Sequence, residues 1–205
     1  MEYALTTSAN ETEWLQQARK GDQAAFGRLV VAYQTPVYNL SYRMLGNRGE
    51  AEEASQEAFL RAYTRLHTYD PNRPFRSWML SIASHYCIDL LRKRRITWLS
   101  FEDEIAVPGG STENNTAAAR THLASRSPNP EAVVAQKERE AQIQQLLTVL
   151  SPTDRAAITL RYWYDYSYQD IAKTLNLTIS AVKSRLHRAR RGLAKKIQED
   201  GDNEL

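Results

Sequence analysis

The sequence predicts an all-α protein: two small helical domains joined by a flexible linker, the second of three to four helices. Three observations lead there. Glycine and proline are scarce, 8 and 7 in 205 residues, while hydrophobic residues make up 42%, enough to build packed cores. Apolar residues recur at helical spacing before residue 96 and again after residue 130. Between them the run VPGGSTENNTAAAR is polar and rich in turn formers, the composition of a linker. The boundaries follow as 11–95, 96–130 and 131–198.

Each element has its own warrant. Thr12–Lys20 reads as a short amphipathic helix closed by Gly21. Asp22 is placed to cap a second helix reaching about Tyr33, and Pro36 suits the first turn of a third that ends near Leu45, before Gly46-Asn47. A fourth helix spans residues 49–66. Ala51, Ala54, Ala58, Ala62 and Leu66 form its packing face, and Glu50, Glu53 and Glu57 line another, beside Gln56 and Arg61. Glu57 and Arg61 are spaced for an ion pair one turn apart. HTYDPNRP (67–74) is a loop by composition.

A fifth helix runs from Phe75 to about Arg95. Its stripe of Phe75, Trp78, Ile82, Tyr86 and Leu90 reads as core. The other face carries Arg76, Ser84, His85 and Ile88 and runs into Arg92-Lys93-Arg94-Arg95. After the linker, Glu131–Leu150 forms one long helix. Ser151-Pro152 then supplies an N-cap and a proline for the first turn of Thr153–Trp163.

The last stretch, YSYQDIAKTLNLTISAVKSRLHRARRGLAKKI from Tyr166, reads as a helix-turn-helix. Ile171, Leu175, Leu177, Val182 and Leu186 fit one buried seam, and Ala172 supplies the small side chain a close helix crossing needs. Asn176 marks the turn, because asparagine tolerates left-handed backbone. Ser180 is expected to cap the second helix, which puts Lys183, Ser184 and His187 near its leading end, where side chains of a recognition helix reach base edges.

Bulk properties remove several chemistries. The formal net charge is +3 and the sequence pI about 9.0, but the charge is strongly segregated along the chain. One cysteine, Cys87, leaves no internal disulfide or multi-cysteine metal site, and its apolar neighbours make it a buried structural thiol. There is no HExxH and no glycine-rich phosphate loop, so no catalytic residue, metal or cofactor is implied. The N-terminal residues lack a basic start followed by an apolar run, and no stretch approaches the ~18 apolar residues of a membrane span, so a cytoplasmic protein is expected.

The remaining motifs divide by charge. Arg92-Lys93-Arg94-Arg95 suits a phosphate backbone, and Tyr69, Asp70, Asn72 and Arg73 in the preceding loop are polar groups able to hold an unstacked base. The glutamate stripe of the fourth helix would repel DNA; by charge alone it fits a solvated face with internal pairs such as Glu57–Arg61, and a basic partner helix is the alternative. A two-domain regulator that binds operator DNA by itself fits these features, and a DNA-acting enzyme such as a recombinase stays open.

Three stretches together resemble the extracytoplasmic-function group of the sigma-70 family, the promoter-specificity subunits of bacterial RNA polymerase. They are AEEASQEAFLRAY (51–63), FRSWMLSIASHYCIDLLRKRR (75–95) and LSPTDRAAITLRYWYDYSYQDIAKTLNLTISAVKSRLHRARRGL (150–193). The resemblance implies that the chain directs core RNA polymerase to specific promoters, that catalysis belongs to the polymerase, and that an anti-sigma factor holds the chain inactive. It implies that Glu53, Gln56 and Glu57 dock on polymerase. It implies that Tyr69, Asp70, Asn72, Arg73, Arg76, Ser84, His85 and Arg92 handle the melted −10 element. It gives −35 recognition to Arg161, Ser180, Lys183, Ser184, His187 and Arg188. His85 stands where many relatives carry asparagine, and Glu53 where they often carry aspartate. The linker of 35 residues spans at most about 115–125 Å extended and roughly 30–35 Å as a flexible coil. Two elements ~17 base pairs apart lie about 58 Å apart on straight duplex, so the linker can bridge them.

Overall fold

The computed structural model describes residues 3–104 and 130–202, with side chains for 10–95 and 134–201. Every regular element among the described residues is helical. In chain order they are α1 (Tyr3–Arg19), α2 (Gln23–Leu45), α3 (Arg48–Thr64), a 3-10 turn (Leu66–Thr68), α4 (Phe75–Glu104), α5 (Pro130–Thr148), α6 (Pro152–Trp163), α7 (Tyr168–Leu175) and α8 (Ile179–Asp202).

Local chemistry sets most boundaries. Asp22 caps α2 by accepting from the backbone N–H of Ala25 at 3.0 Å. Gly46 ends α2 in left-handed backbone (φ 78°), and Asn47 caps α3. The expected break near Tyr33 does not occur, because α2 runs unbroken through Pro36. The proline removes one backbone donor, opposite the carbonyl of Ala32. Ala32 is exposed, so water can satisfy that carbonyl, while Leu29, Val37 and Leu40 on the far side stay buried in one continuous stripe. Tertiary packing outweighs the local preference.

In α3 the alanines behave as expected: Ala51, Ala54, Ala58 and Ala62 are buried, and their small side chains let α3 lie close against α2 and α4. The core face of α4 is wider than its sequence stripe. Phe75, Met79, Leu80, Ala83, Cys87 and Ile88 are buried, and Trp78, Ile82, Tyr86 and Leu90 only partly so. Ser84 and Ile88, expected on an open polar face, are buried as well. The reason is that α4 packs on α2 and α3 on one side and on α6 and α7 on the other. α4 also continues to Glu104, into the segment read as linker. The rest of that segment, 105–129, lies outside the described residues.

The C-terminal helices are organised by α6. Ser151 caps it and Pro152 opens it, as expected, and every residue from Thr153 to Leu160 is buried. α7 carries a complete capping box between Ser167 and Asp170. Asn176 ends α7 in left-handed backbone (φ 52°, ψ 50°), and Ile171, Leu175, Val182 and Leu186 close the expected seam with α8. One cap differs. The α8 cap is Thr178, whose Oγ1 accepts from the N–H of Ala181 at 3.1 Å, so Ser180 lies inside the first turn. Either hydroxyl could serve; the turn after Asn176 decides which one faces the free N–H groups.

Burial pushes the Cys87 thiol up to about 12, so almost none is thiolate at neutral pH. At pH 8 an alkylating reagent is expected to leave the native protein unmodified and to react once it is unfolded, as mass spectrometry would show. Rapid labelling of the native chain would contradict the packing of α4.

Candidate nucleic-acid interface

α8 offers an open polar face. Val182, Leu186 and Ala189 turn inward, while Ser180, Lys183, Ser184, His187 and Arg188 are exposed on the opposite side. Helical spacing puts these five on one surface. Arg185 lies between the two faces, and its Nη1 donates to Asp154 Oδ1 on α6 at 2.9 Å, with Arg188 Nη2 3.8 Å from the same oxygen. Arg161, at the end of α6, donates to the carbonyl of Tyr166 at 2.9 Å and lies over the Tyr168 ring. It therefore braces the turn into α7 as well as reaching solvent.

The 67–74 loop is more ordered than its composition suggests. Tyr69 is buried, its hydroxyl donating to the carbonyl of Arg73 at 2.5 Å and its ring packed on Phe75 and Trp78. Asp70 Oδ1 accepts from both the backbone N–H and the Nδ2 of Asn72. Asn72, Arg73 and Phe75 then form one wall of a cleft of about 340 Å³, and Glu11, Gln16 and Arg19 of α1 form the other. Tyr33 donates to Glu11 at its edge, and burial and then that carboxylate hold the phenol well above its usual range. The contribution of α1 was missed in the sequence, where Thr12–Lys20 reads only as a short amphipathic helix.

Two others of the expected −10 set, Arg76 and Arg92, and their neighbours on α4 meet the C-terminal half. The hydroxyls of Ser77 and Tyr166 are hydrogen-bonded at 3.1 Å, and Ser81 Oγ donates to the carbonyl of Thr174 at 2.8 Å. His85, half-buried, donates from Nδ1 to the carbonyl of Ser81. Arg76 lies over the Tyr164 ring, and Arg92 reaches Thr153 Oγ1 at 3.3 Å. Tyr164 donates to the carbonyl of Pro36 at 2.5 Å. Ser84 is enclosed, and its Oγ has no hydrogen-bond partner among the described residues. The seam is completed by Arg155, buried on α6, which donates from Nε to the carbonyl of Arg43 at 2.8 Å and from Nη2 to Gln144 Oε1 at 3.1 Å. Burial lowers its pKa to about 10. Ser84 is thus enclosed and His85 half-buried rather than on an open strand-facing surface, on a helix against which α6 and α7 pack.

On α3 the acidic ridge is open. Glu53 and Gln56 are exposed, and Glu57 pairs with Arg61 at 2.6 Å as the spacing predicts. Glu50 instead pairs with Arg94 of α4. One turn beyond Gln56 and Glu57 stands Leu60, 59% exposed, with Tyr63 also exposed. The sequence reading missed both, although Leu60 is the one large aliphatic side chain off the alanine stripe. A second apolar feature went unseen: a groove of about 520 Å³ between α5, α6 and α8, lined by Ile143, Tyr162, Leu193 and Ile197.

Two family models match. "Sigma-70 region 2" covers residues 29–96 and "Sigma-70, region 4" covers residues 140–193. The ECF RNA polymerase sigma factor SigW of Bacillus subtilis is 37% identical over 185 residues, 90% of this chain and 95% of that protein. The chain belongs to the ECF sigma factors of the sigma-70 family. The ECF RNA polymerase sigma-E factor of Escherichia coli K12 is 30% identical over 90% of this chain and 92% of its own length. Among solved structures, CnrH in complex with the cytosolic domain of CnrY has the same fold, with a TM-score of 0.64 at 22% identity over 93% of this chain and 99% of that one. RpoE bound to the anti-sigma factor NepR from Bartonella quintana matches with a TM-score of 0.59 at 18% identity over 84% of this chain and 96% of that one. The match to region 2 sets aside a self-sufficient operator-binding regulator, since its N-terminal half would be a sensing domain.

In this sigma factor the seam joins the two matched regions, and Tyr164 is its most connected aromatic. Tyr164→Ala removes the bond to Pro36 and the ring under Arg76. The chain is expected to spend more time extended, read as a larger radius of gyration in small-angle X-ray scattering. An unchanged radius would show that the seam does not depend on Tyr164.

Proposed function

We propose that the chain acts as an alternative sigma factor in three parts: residues 11–95 hold core polymerase and handle the melted −10 element, 96–130 link, and 131–198 read the −35 element. One observation carries the upstream half of this reading. Lys183, Ser184, His187 and Arg188 share the open face of a helix that follows a left-handed turn, the placement from which a recognition helix reaches the major groove. For the downstream half, the support is the polar cleft beside Asn72 and Arg73, of a size that admits a nucleobase, and the basic end of α4. For docking, it is the ridge of Glu53, Gln56 and Glu57, continued one turn on by exposed Leu60, which sets an apolar contact beside charged ones.

The chain supplies positioning and leaves bond formation to the polymerase, so it is not an enzyme by itself and works in the cytoplasm with promoter DNA. Among the described residues no helix is long and apolar enough to cross a membrane, and no cluster of metal-binding side chains is present. The −10 face of α4 becomes usable only when α6 and α7 leave it, so polymerase binding must separate the two halves. Control by an anti-sigma factor that occludes the docking or DNA surfaces completes the reading; RpoE, which shares the fold, is bound to the anti-sigma factor NepR. An inhibitor that bound this chain without reducing polymerase association or promoter contact would rule that out.

Transcription reconstituted from core polymerase, this chain and a promoter library tests the whole reading; failure to confer start-site choice on any template would refute it. Glu53→Lys is expected to weaken polymerase association roughly tenfold or more by placing a cation where a basic partner docks, with the thermal midpoint little changed. Lys183→Ala is expected to cost about 1–3 kcal/mol in upstream-element recognition, read as reduced discrimination between −35 variants. An unaltered promoter profile would remove Lys183 from the site.

A further inference from the structure

The chain carries the same cap sequence twice, and the two copies do different things. Ser167-Tyr-Gln-Asp170 opens α7, and Asp170 Oδ2 turns back to accept from the N–H and the hydroxyl of Ser167, closing a capping box. Ser151-Pro-Thr-Asp154 opens α6, and Ser151 again accepts from the N–H of the aspartate. Asp154 does not close its box. Its carboxylate, 13% exposed, turns away to α8 and accepts from Arg185 at 2.9 Å, with Arg188 at 3.8 Å.

The three side chains form a graded series. Arg185 is 27% exposed and at hydrogen-bond distance; Arg188 is 62% exposed and beyond it. One anion thus meets two cations, one held firmly and one loosely. A charge-assisted hydrogen bond to a mostly buried carboxylate fixes a long arginine in one rotamer, whereas an exposed arginine 3.8 Å from an anion keeps much of its freedom. The loosely held arginine shares the exposed face of Lys183, Ser184 and His187.

We infer that Asp154 is a positioning residue for sequence discrimination: it locks Arg185 as a strut between α6 and α8 and restrains Arg188, so that the recognition face meets DNA with one cation in a defined place rather than two mobile ones. The inference rests on the reading that the α8 face contacts the −35 element. Its logic is that unrestrained arginines bind phosphates of any sequence, since phosphate contacts supply affinity without information. Removing the restraint therefore raises affinity for the wrong DNA and erodes the preference for the right one.

The sign separates this from a purely structural role. Holoenzyme reconstituted with Asp154→Asn would be compared with wild type on duplexes carrying the cognate or a scrambled −35 element, over a range of potassium chloride concentrations. Binding to the scrambled duplex is expected to strengthen severalfold, with its log–log salt slope steeper by about 1, the signature of one more phosphate neutralised. Cognate-over-scrambled discrimination is expected to fall roughly tenfold, the scale of one lost base-reading contact. Asp154→Glu, which keeps the charge, should restore most of the discrimination, and Arg188→Ala added to Asp154→Asn should remove the extra slope. Equal weakening on both duplexes, or an unchanged slope, would overturn the inference. Should Asp154→Asn fold poorly, Arg185→Gln tests the same claim with the opposite sign: the carboxylate is then left to Arg188 alone, and scrambled-duplex affinity and slope must both fall. No change there would equally overturn it. Lys183→Ala in the same assay keeps the two levels apart. If it has no effect on discrimination, the −35 reading itself fails; if it acts and Asp154→Asn does not, only the role of Asp154 fails.

Discussion

The packing of α6 between the two halves of the chain depends on a buried cation with neutral partners. Arg155 is enclosed, and its Nε and Nη2 hydrogen bonds go to the carbonyl of Arg43 and to Gln144 Oε1. The Arg43 carbonyl belongs to the last turn of α2, where the helix end carries partial negative charge. That position offsets part of the desolvation penalty that lowers the arginine's pKa, and the group stays protonated at neutral pH. Burying a charge on these terms is expensive. The rest of the seam is also polar or aromatic: Ser77 with Tyr166, Ser81 with the Thr174 carbonyl, Tyr164 with the Pro36 carbonyl. Such contacts resemble those between domains that separate, because water can replace each hydrogen bond when they part.

This constraint decides which nucleic-acid surface is open. α8 presents its polar face outward, since Val182, Leu186 and Ala189 turn inward and, among the described residues, Arg185 alone of its cations is tied firmly to α6. α4 has no comparable freedom. Ser84 and Ile88 are enclosed and His85 is half-buried, on a helix against which α6 and α7 pack, so the surface proposed for the melted strand is not open. The acidic ridge of α3 lies apart from this seam and stays open to a partner. A chain arranged this way can meet a partner through α3 first and uncover the packed face of α4 second.

The sequence was most readable where one residue dictates the backbone. Asp22, Gly46, Ser151-Pro152 and Asn176 sit where their chemistry requires, and the alanine stripe of α3 and the seam of the helix-turn-helix pack as their spacing demands. It was least readable where tertiary contacts overrule local preference. Pro36 does not break α2, because the stripe on either side of it is buried continuously. Thr178 rather than Ser180 caps α8, a choice between two neighbouring hydroxyls that only the path of the turn settles. Within the site, the exposed polar quartet Lys183, Ser184, His187 and Arg188 was legible as a surface of one helix. The enclosure of Ser84 was not, since the groups that cover α4, among them Tyr166 and Thr174, are distant in sequence and follow no periodicity. Leu60 and the groove at Ile143, Tyr162 and Ile197 escaped for a similar reason: an apolar residue reads as core until its neighbours are known.

The two halves are closed on each other in the free chain and are expected to part on polymerase. Spin labels on two exposed positions, Val31 of α2 and Gln145 of α5, report the separation directly by pulsed electron resonance, and buried Cys87 does not compete for the label. The free chain should give one short, narrow distance distribution, and addition of core polymerase should replace it with a longer one, in line with promoter elements about 58 Å apart on straight duplex. A distance that stays unchanged in a holoenzyme able to initiate transcription would contradict the account.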